Sequence, residues 1–302
     1  MDLIKLNHVS CFAPNRRALL NDIDITLQEG DHLAVLGSNG AGKTSLLEVI
    51  LGIIKPGKGF MSYNGLSLSE FMKESSVIWD QVDVFPWLKV KEVLRYFALL
   101  KNAKNGVVSE VSHLLGLDVM MESFVKTLSK GEKKKLSIAI ALLNDPKVLI
   151  MDEMSSDLDR QTINVIWESR LKFSKTVLFT THHWDEAQDY ATKVMFMQDG
   201  SIVLPPVHVN RLFEDFPFKH KVVIDVDVSH LSLPLGCQFR LEGHHVILLK
   251  SHQDPILDEI IKHTQRFSVL DVELTDIYNF LVQNNESNII RDLLPNSKSY
   301  KG

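Results

Sequence analysis

Cysteine is almost absent from this chain: Cys11 and Cys237 are the only two in 302 residues. Two thiols so far apart form neither a metal-ligand spacing nor a disulfide framework, so a reducing, cytosolic setting is expected. Excess positive charge is missing as well. Lys and Arg number 33 against 38 Asp and Glu, a net charge of -5, and no nucleic-acid partner is expected, because such partners favour a basic surface. The one compact basic run, Lys133-Lys134-Lys135, reads as the solvated face of a helix. No apolar stretch approaches the roughly 18–20 residues of a membrane-spanning helix, and the longest, Leu136 to Leu143, is about half that. The N-terminus has no apolar core of signal-peptide length. If the protein works at a membrane, another chain is expected to do the crossing. The twelve histidines include two adjacent pairs, His182-His183 and His244-His245. Neighbours on a strand face opposite sides, so such pairs seldom hold one ion.

What is present is concentrated in a few segments. Gly37-Ser38-Asn39-Gly40-Ala41-Gly42-Lys43-Thr44 fits the phosphate-binding pattern G-x-x-x-x-G-K-[ST] at every fixed position. Its flanks agree: His32 to Leu36 reads as a buried strand and Thr44 to Leu51 as the opening of a helix, with Ser45 in its first turn. A strand running through a glycine-rich loop into a helix aims successive backbone N–H groups at one point, and the helix N-terminus adds partial positive charge there. Lys43 is then expected to reach the β- and γ-phosphates of a nucleoside triphosphate, and the Thr44 hydroxyl to ligate Mg²⁺.

A P-loop needs an acidic group at the end of a second buried strand to hold that metal. Val148-Leu149-Ile150-Met151-Asp152-Glu153 supplies it: Asp152 as the Mg²⁺ carboxylate, Glu153 as the general base for an attacking water. Leu128-Ser129-Lys130-Gly131-Glu132 opens a further helix pattern, and by itself it is no more than a capping box. Farther on come Ser156-Asp157-Leu158-Asp159 and, after a strand-like run, Thr180-Thr181-His182.

In this order and at these separations the segments resemble the ATP-binding cassette of ABC transporters, over about residues 3–205. The resemblance implies an α/β P-loop NTPase fold: a RecA-like core, an antiparallel β subdomain near residues 3–35 and 58–64, and a helical lobe over about 85–145. It implies two cassettes facing head to tail around two ATP molecules, each with Mg²⁺. Residues Gly37 to Ser45, Asp152, Glu153 and His182 would then serve one ATP, while Ser129 and Gly131 of the opposite cassette close over its γ-phosphate. Asp159 falls in the family's D-loop, and His182 takes the place of its switch histidine. Lys130, Glu132 and Met154 stand where the commonest family pattern has Gly, Gln and Pro. The Q-loop glutamine, a metal-linked residue in the family, falls on Asp80 when counted without a gap and on Gln81 with a shift; Gln81 is taken here. The adenine-stacking aromatic is Phe12 if Asn15-Arg16-Arg17 extends the loop, whereas Pro14 occupies the ungapped position.

The cassette is expected to span residues 1–210, followed by a small α+β domain over 215–285 and a flexible tail over 286–302. Strands are expected at Val222–Val228, Gln238–Leu241 and Val246–Leu249, a helix from Ile256 to His263 opened by Asp254-Pro255, a strand from Phe267 to Leu274, and a last helix capped by Thr275. Pro205-Pro206 marks the exit from the cassette. The run Val269 to Leu274 followed by Asp276-Ile277-Tyr278 resembles the tail of exporter cassettes for drugs and peptides. The function so implied is an ATPase subunit on the cytoplasmic side of a membrane, driving a separate permease, with export as the direction. Two other readings stand beside it: a silent cassette paired with an active one, and a soluble cassette ATPase without a permease.

Overall fold

The computed structural model describes residues 1–80, 84–168, 175–224, 238–241, 244–251, 254–263 and 267–284. The chain divides into two units, at Pro206/Val207. In the first unit, β1 (Asp2–Phe12) and β2 (Ala18–Gln28) pair antiparallel, and β4 (Lys58–Ser62) joins the other side of β1. From Ile23 on, alternate residues of β2 are buried (Ile23, Ile25 and Leu27), which is the period of a sheet covered on one face.

The second sheet has the order β5-β6-β7-β3-β8-β9. Its members are β3 (His32–Leu36), β5 (Ser75–Ile78), β6 (Val148–Asp152), β7 (Thr176–Thr181), β8 (Lys193–Gln198) and β9 (Ser201–His208). The pairings β5–β6, β6–β7, β7–β3 and β3–β8 are all parallel. Every residue of β3, β6 and β7 is buried, as continuous apolar runs must be when both faces of a parallel sheet are covered. Residues 32–36 therefore belong to this sheet and not to the antiparallel one. Strand β9 also differs from expectation: it runs through Pro205-Pro206 to His208. It is the outermost strand, where a missing N–H costs no ladder bond.

The helices are α1 (Lys43–Ile50), α2 (Leu68–Glu74), α3 (Val90–Leu100), α4 (Val107–Leu114), α5 (Lys130–Leu142), α6 (Arg160–Ile166) and α7 (Trp184–Tyr190). Helices α3 to α5 follow one another between β5 and β6. Ser129 caps α5 in a closed box: its hydroxyl accepts from Glu132 N at 3.3 Å, and Glu132 accepts from Ser129 N at 2.7 Å. Parallel register aligns the carboxyl ends of three neighbouring strands, with Leu36 opposite Thr181 and Asp152 opposite Thr180. The next residues on, Gly37, Glu153 and His182, thus emerge at one edge of the sheet, where open α/β sheets hold their ligands.

In the second unit, α8 (Val209–Asp215) precedes a four-stranded antiparallel sheet of order β11-β12-β10-β13. Its strands are β10 (His220–Ile224), β11 (Gln238–Leu241), β12 (His244–Leu249) and β13 (Phe267–Asp271), with α9 (Pro255–His263) and α10 (Leu274–Asn284). Val222, Ile224, Ile247, Leu249 and Ile260 form its core. Asp254 Oδ1 accepts from Ile256 N at 3.2 Å, an N-cap ahead of the first-turn proline. The last strand stops at Asp271 and α10 starts at Leu274, so Leu274 is helical and Thr275 lies inside the helix. Asp276 takes the capping role instead, accepting from Glu273 N at 2.8 Å. The expected strand residues 225–228 and the expected tail lie outside the described residues. Among the described residues no helix is long and apolar enough to cross a membrane.

Candidate functional site

The loop after β3 turns into α1 through Gly42, whose φ is 102°. A side chain there would be strained in that conformation and would press on the Leu19 carbonyl at 3.1 Å. Lys43, the first helical residue, is 6% exposed. Its ammonium donates back to Gly37 O at 2.9 Å and Ser38 O at 3.2 Å, and stands 3.9 Å from Glu153 Oε1. Burial pushes its pKa down, against the pull of Glu153 and Asp152. The loop thus holds a desolvated cation at its centre, on a short leash to its own carbonyls.

Thr44 Oγ1 donates to Asp152 Oδ2 at 3.0 Å. The same carboxylate accepts from Thr180 Oγ1 at 2.6 Å and is 5% exposed. A buried carboxylate beside a threonine hydroxyl is a hard-oxygen donor set, and it fits Mg²⁺. Glu153 follows with φ of 46°, a left-handed conformation uncommon outside glycine, and its backbone N–H donates to Thr180 O at 3.2 Å and Thr180 Oγ1 at 3.1 Å. Strain of this kind at a functional residue persists only where its surroundings impose it. His182 Nδ1 lies 3.3 Å from Glu153 Oε2. Lys43, Thr44, Asp152, Glu153 and His182, scattered over the sequence, therefore meet in one cluster.

The two histidines depart from expectation. His182 and His183 lie just past the end of β7, and their rings are 4.1 Å apart instead of on opposite faces. Strand alternation does not apply there. Phe12 ends β1 opposite Ala18, its ring lies beside Gly57, and it is 48% exposed. Residues 13–17 close a turn, with Ala13 N donating to Arg17 O at 2.8 Å. Gln81 lies outside the described residues. The Asp80 carboxylate accepts from Ser156 Oγ at 2.8 Å and stands 3.8 Å from Lys134 Nζ.

Ser129 is exposed at the N-terminus of α5. Gly131 is tightly constrained, since a Cβ there would come within 2.6 Å of Asp157 O. Asp159 caps α6, accepting from Thr162 N and Thr162 Oγ1, both at 2.8 Å.

Sequence reasoning missed Lys134. It is 3% exposed, not part of a solvated face, and its ammonium donates to Trp79 O at 3.0 Å and Asp80 O at 3.3 Å. Burial lowers its pKa, while Asp80, Asp152, Asp157 and Glu153 oppose that shift. The available signal was helical phase: Lys134, Ile138 and Ala141 recur at i, i+4 and i+7, and all three are buried. Lys134→Met keeps the stem and removes the donor from two carbonyls. It is expected to cost about 1–3 kcal/mol of stability, the penalty for unpaired buried polar groups, measurable by denaturant unfolding.

A family model described as ABC transporter matches residues 20–156. The mouse ATP-binding cassette sub-family A member 17 is 35% identical over 215 residues, 67% of this chain but 12% of that protein. The Nod factor export ATP-binding protein I of Burkholderia lata is 33% identical over 195 residues, 61% of this chain and 64% of that protein. The methionine import ATP-binding protein MetN of Streptococcus pneumoniae is 30% identical over 298 residues, 87% of this chain and 84% of that protein. Among solved structures, an ATP-binding subunit of an ABC transporter aligns with a TM-score of 0.64 at 23% identity, covering 71% of this chain and 93% of that one. A bacterial ABC transporter cassette solved as a dimer aligns with a TM-score of 0.59 at 22% identity, covering 66% and 96%. These structural likenesses concern the fold alone.

Proposed function

Because the chain belongs to the ABC transporter family of ATP-binding proteins, we propose that it hydrolyses ATP to ADP and phosphate and that this drives a separate transmembrane permease. The observation that carries the proposal is the convergence of Lys43, Glu153 and His182 at the ends of β3, β6 and β7. The backbone N–H groups of residues 37–45 and the start of α1 form the phosphate cradle, and the Lys43 ammonium meets the β- and γ-phosphates. Thr44 and Asp152 would hold Mg²⁺, with Gln81 as a further ligand in this reading; when bound, the ion neutralises charge on the phosphate oxygens. Glu153 takes the proton of the attacking water, and His182, in contact with it, fixes the direction of its carboxylate. Phe12, exposed at the end of β1, stacks on the adenine in this reading.

Ser129 and Gly131 complete the site of a second copy or a partner cassette. Exposure of Ser129 at a helix N-terminus supports this, because that end attracts phosphate. Asp159 lies two residues past Asp157, whose carbonyl Gly131 packs against, and its cap on α6 fixes the loop that carries it. Closure around ATP and opening after hydrolysis then become movement handed to the permease. The contact between Glu153 and His182 speaks against a silent cassette.

A two-chain site makes one measurable demand. Hydrolysis by the purified protein is expected to rise with roughly the square of its concentration below the dimer dissociation constant, because two molecules build each site. A specific activity independent of concentration, with the protein monomeric throughout, would sink the two-chain arrangement.

Two directions of transport are supported by different observations. The short run Val269 to Leu274 with Asp276-Ile277-Tyr278 supports export of a drug, peptide or similar compound. Similarity to the methionine importer over 298 residues supports import. Accumulation or depletion of labelled solute in vesicles holding the permease and this chain decides between them.

A further inference from the structure

Glu186 is outside the cluster of Lys43, Thr44, Asp152, Glu153 and His182, yet it is joined to both of the loops that carry its reacting pair. It lies in the first turn of α7 and is 6% exposed. One oxygen, Oε2, accepts from Ser155 Oγ at 2.7 Å and from Thr181 Oγ1 at 2.7 Å. Ser155 is two residues past Glu153, and Thr181 immediately precedes His182. Thr181 Oγ1 in turn accepts from His183 N at 3.0 Å, so the turn beyond β7 hangs on the same hydroxyl.

Both attachments fall where the sheet ladder gives out. Asp152 and Thr180 are the last partners of the β6–β7 register, and past Asp152 the Glu153 N–H still bonds to Thr180 O at 3.2 Å and Thr180 Oγ1 at 3.1 Å. Glu153 needs such support, since its left-handed φ of 46° is a conformation that surroundings must impose. We propose that Glu186 is a positioning residue for hydrolysis: by taking two hydroxyls on one oxygen it fixes the separation of the Glu153 and His182 loops, and with it the 3.3 Å contact between them.

The acceptor, and not a charge, is what this role requires. Glu186 Oε1 is buried and, among the described residues, has no hydrogen-bond partner. Burial also pushes the carboxyl pKa up, against the two hydroxyls and His183, because desolvation penalises a charge there. Glutamine keeps the carbonyl acceptor and the shape, so it should serve in place of the acid.

This inference rests on the ATPase reading above, and the test separates the two. Steady-state ATP hydrolysis and nucleotide affinity are measured for the full chain and for Glu186→Ala, Glu186→Gln and Thr181→Val. Misplacing a reacting pair by about 1 Å costs about 10²-fold, so Glu186→Ala and Thr181→Val are expected to lose about 10- to 100-fold in kcat. KM and ATP affinity should stay within about 2-fold and Glu186→Gln within about 3-fold of the natural chain, as expected for an effect confined to the transition state. A merely structural residue would lower stability and active fraction without this division between kcat and KM, or this rescue by Gln. The proposal is overturned by unchanged kcat in Thr181→Val, by a raised KM with kcat intact, or by Glu186→Gln falling as far as Glu186→Ala. Should Glu186→Ala fail to fold, Thr181→Val, which keeps volume and removes the donor to Glu186 together with the acceptor of His183 N, is read beside Glu186→Gln, which leaves both Thr181 bonds in place, and the pair decides the matter. A natural chain that hydrolyses nothing with or without partners defeats the ATPase reading itself; an active natural chain with an active Thr181→Val defeats only this one.

Discussion

A Glu153→Gln protein is expected to bind ATP as tightly as the natural chain and to hydrolyse it about 10³-fold more slowly, within the range that a lost general base commonly costs. The substitution is nearly isosteric, so the argument turns on one property. Glutamine cannot take a proton from water, whereas the carboxylate 3.3 Å from His182 and 3.9 Å from Lys43 can. Affinity should survive because the phosphate cradle is made of other groups: the backbone of residues 37–45 and the Lys43 ammonium. The substitution also removes a negative charge next to a buried cation, which by itself favours a phosphate there. The variant is therefore expected to accumulate as an ATP-bound dimer, visible by size-exclusion chromatography with ATP and absent with ADP. Turnover within about 10-fold of the natural rate would place the base elsewhere, since general-base loss seldom costs so little.

What the sequence revealed and what it hid follow a physical pattern. The phosphate loop is legible because its geometry is local: a strand, a glycine-rich turn and a helix are contiguous, and each residue type answers a constraint from its neighbours. Asp152 and Glu153 are legible for the same reason, as the polar end of a buried strand. Their meeting with His182 is not written in any one segment and comes through resemblance. In the fold it follows from parallel register, with Asp152 opposite Thr180 and Leu36 opposite Thr181.

The misses are residues whose type suggests the surface and whose phase puts them inside. Lys134 stands in a run of three lysines, yet a helix turns only one of them inward. Glu186 looks like an ordinary acid in a helix's first turn, a favourable place for a solvated charge. Its two hydroxyl partners come from 31 and 5 residues away in the chain, and no local pattern announces the first of them. Strand geometry predicts opposite faces for His182 and His183, although the strand has already ended at Thr181. The prolines at 205 and 206 read as a stop because their place at the sheet's edge depends on strand order, a long-range property.

Replacing Lys43 by Met should abolish what Glu153→Gln preserves. Lys43 is the buried cation of the cluster, with its ammonium 2.9 Å from Gly37 O and facing the carboxylate of Glu153. A triphosphate presents strongly charged oxygens to this point, and charge-assisted bonds made out of water are the strong ones. Truncating one side of such a buried charge contact costs about 2–5 kcal/mol, so ATP affinity is expected to fall at least about 10²-fold, which corresponds to about 2.7 kcal/mol, in the lower half of that range. Ligand stabilisation gives a reading that does not depend on turnover. At ATP equal to about 100 times its dissociation constant, the natural chain gains about 2.7 kcal/mol. At the same ATP concentration, a variant about 100-fold weaker gains only about 0.4 kcal/mol. Denaturant unfolding with and without ATP should therefore separate the variants. Glu153→Gln keeps the full ATP-dependent gain without hydrolysis, and Lys43→Met loses both. If Lys43→Met retained the gain, the loop's backbone alone would hold the phosphates, and the lysine's work would lie in the transition state instead of in binding.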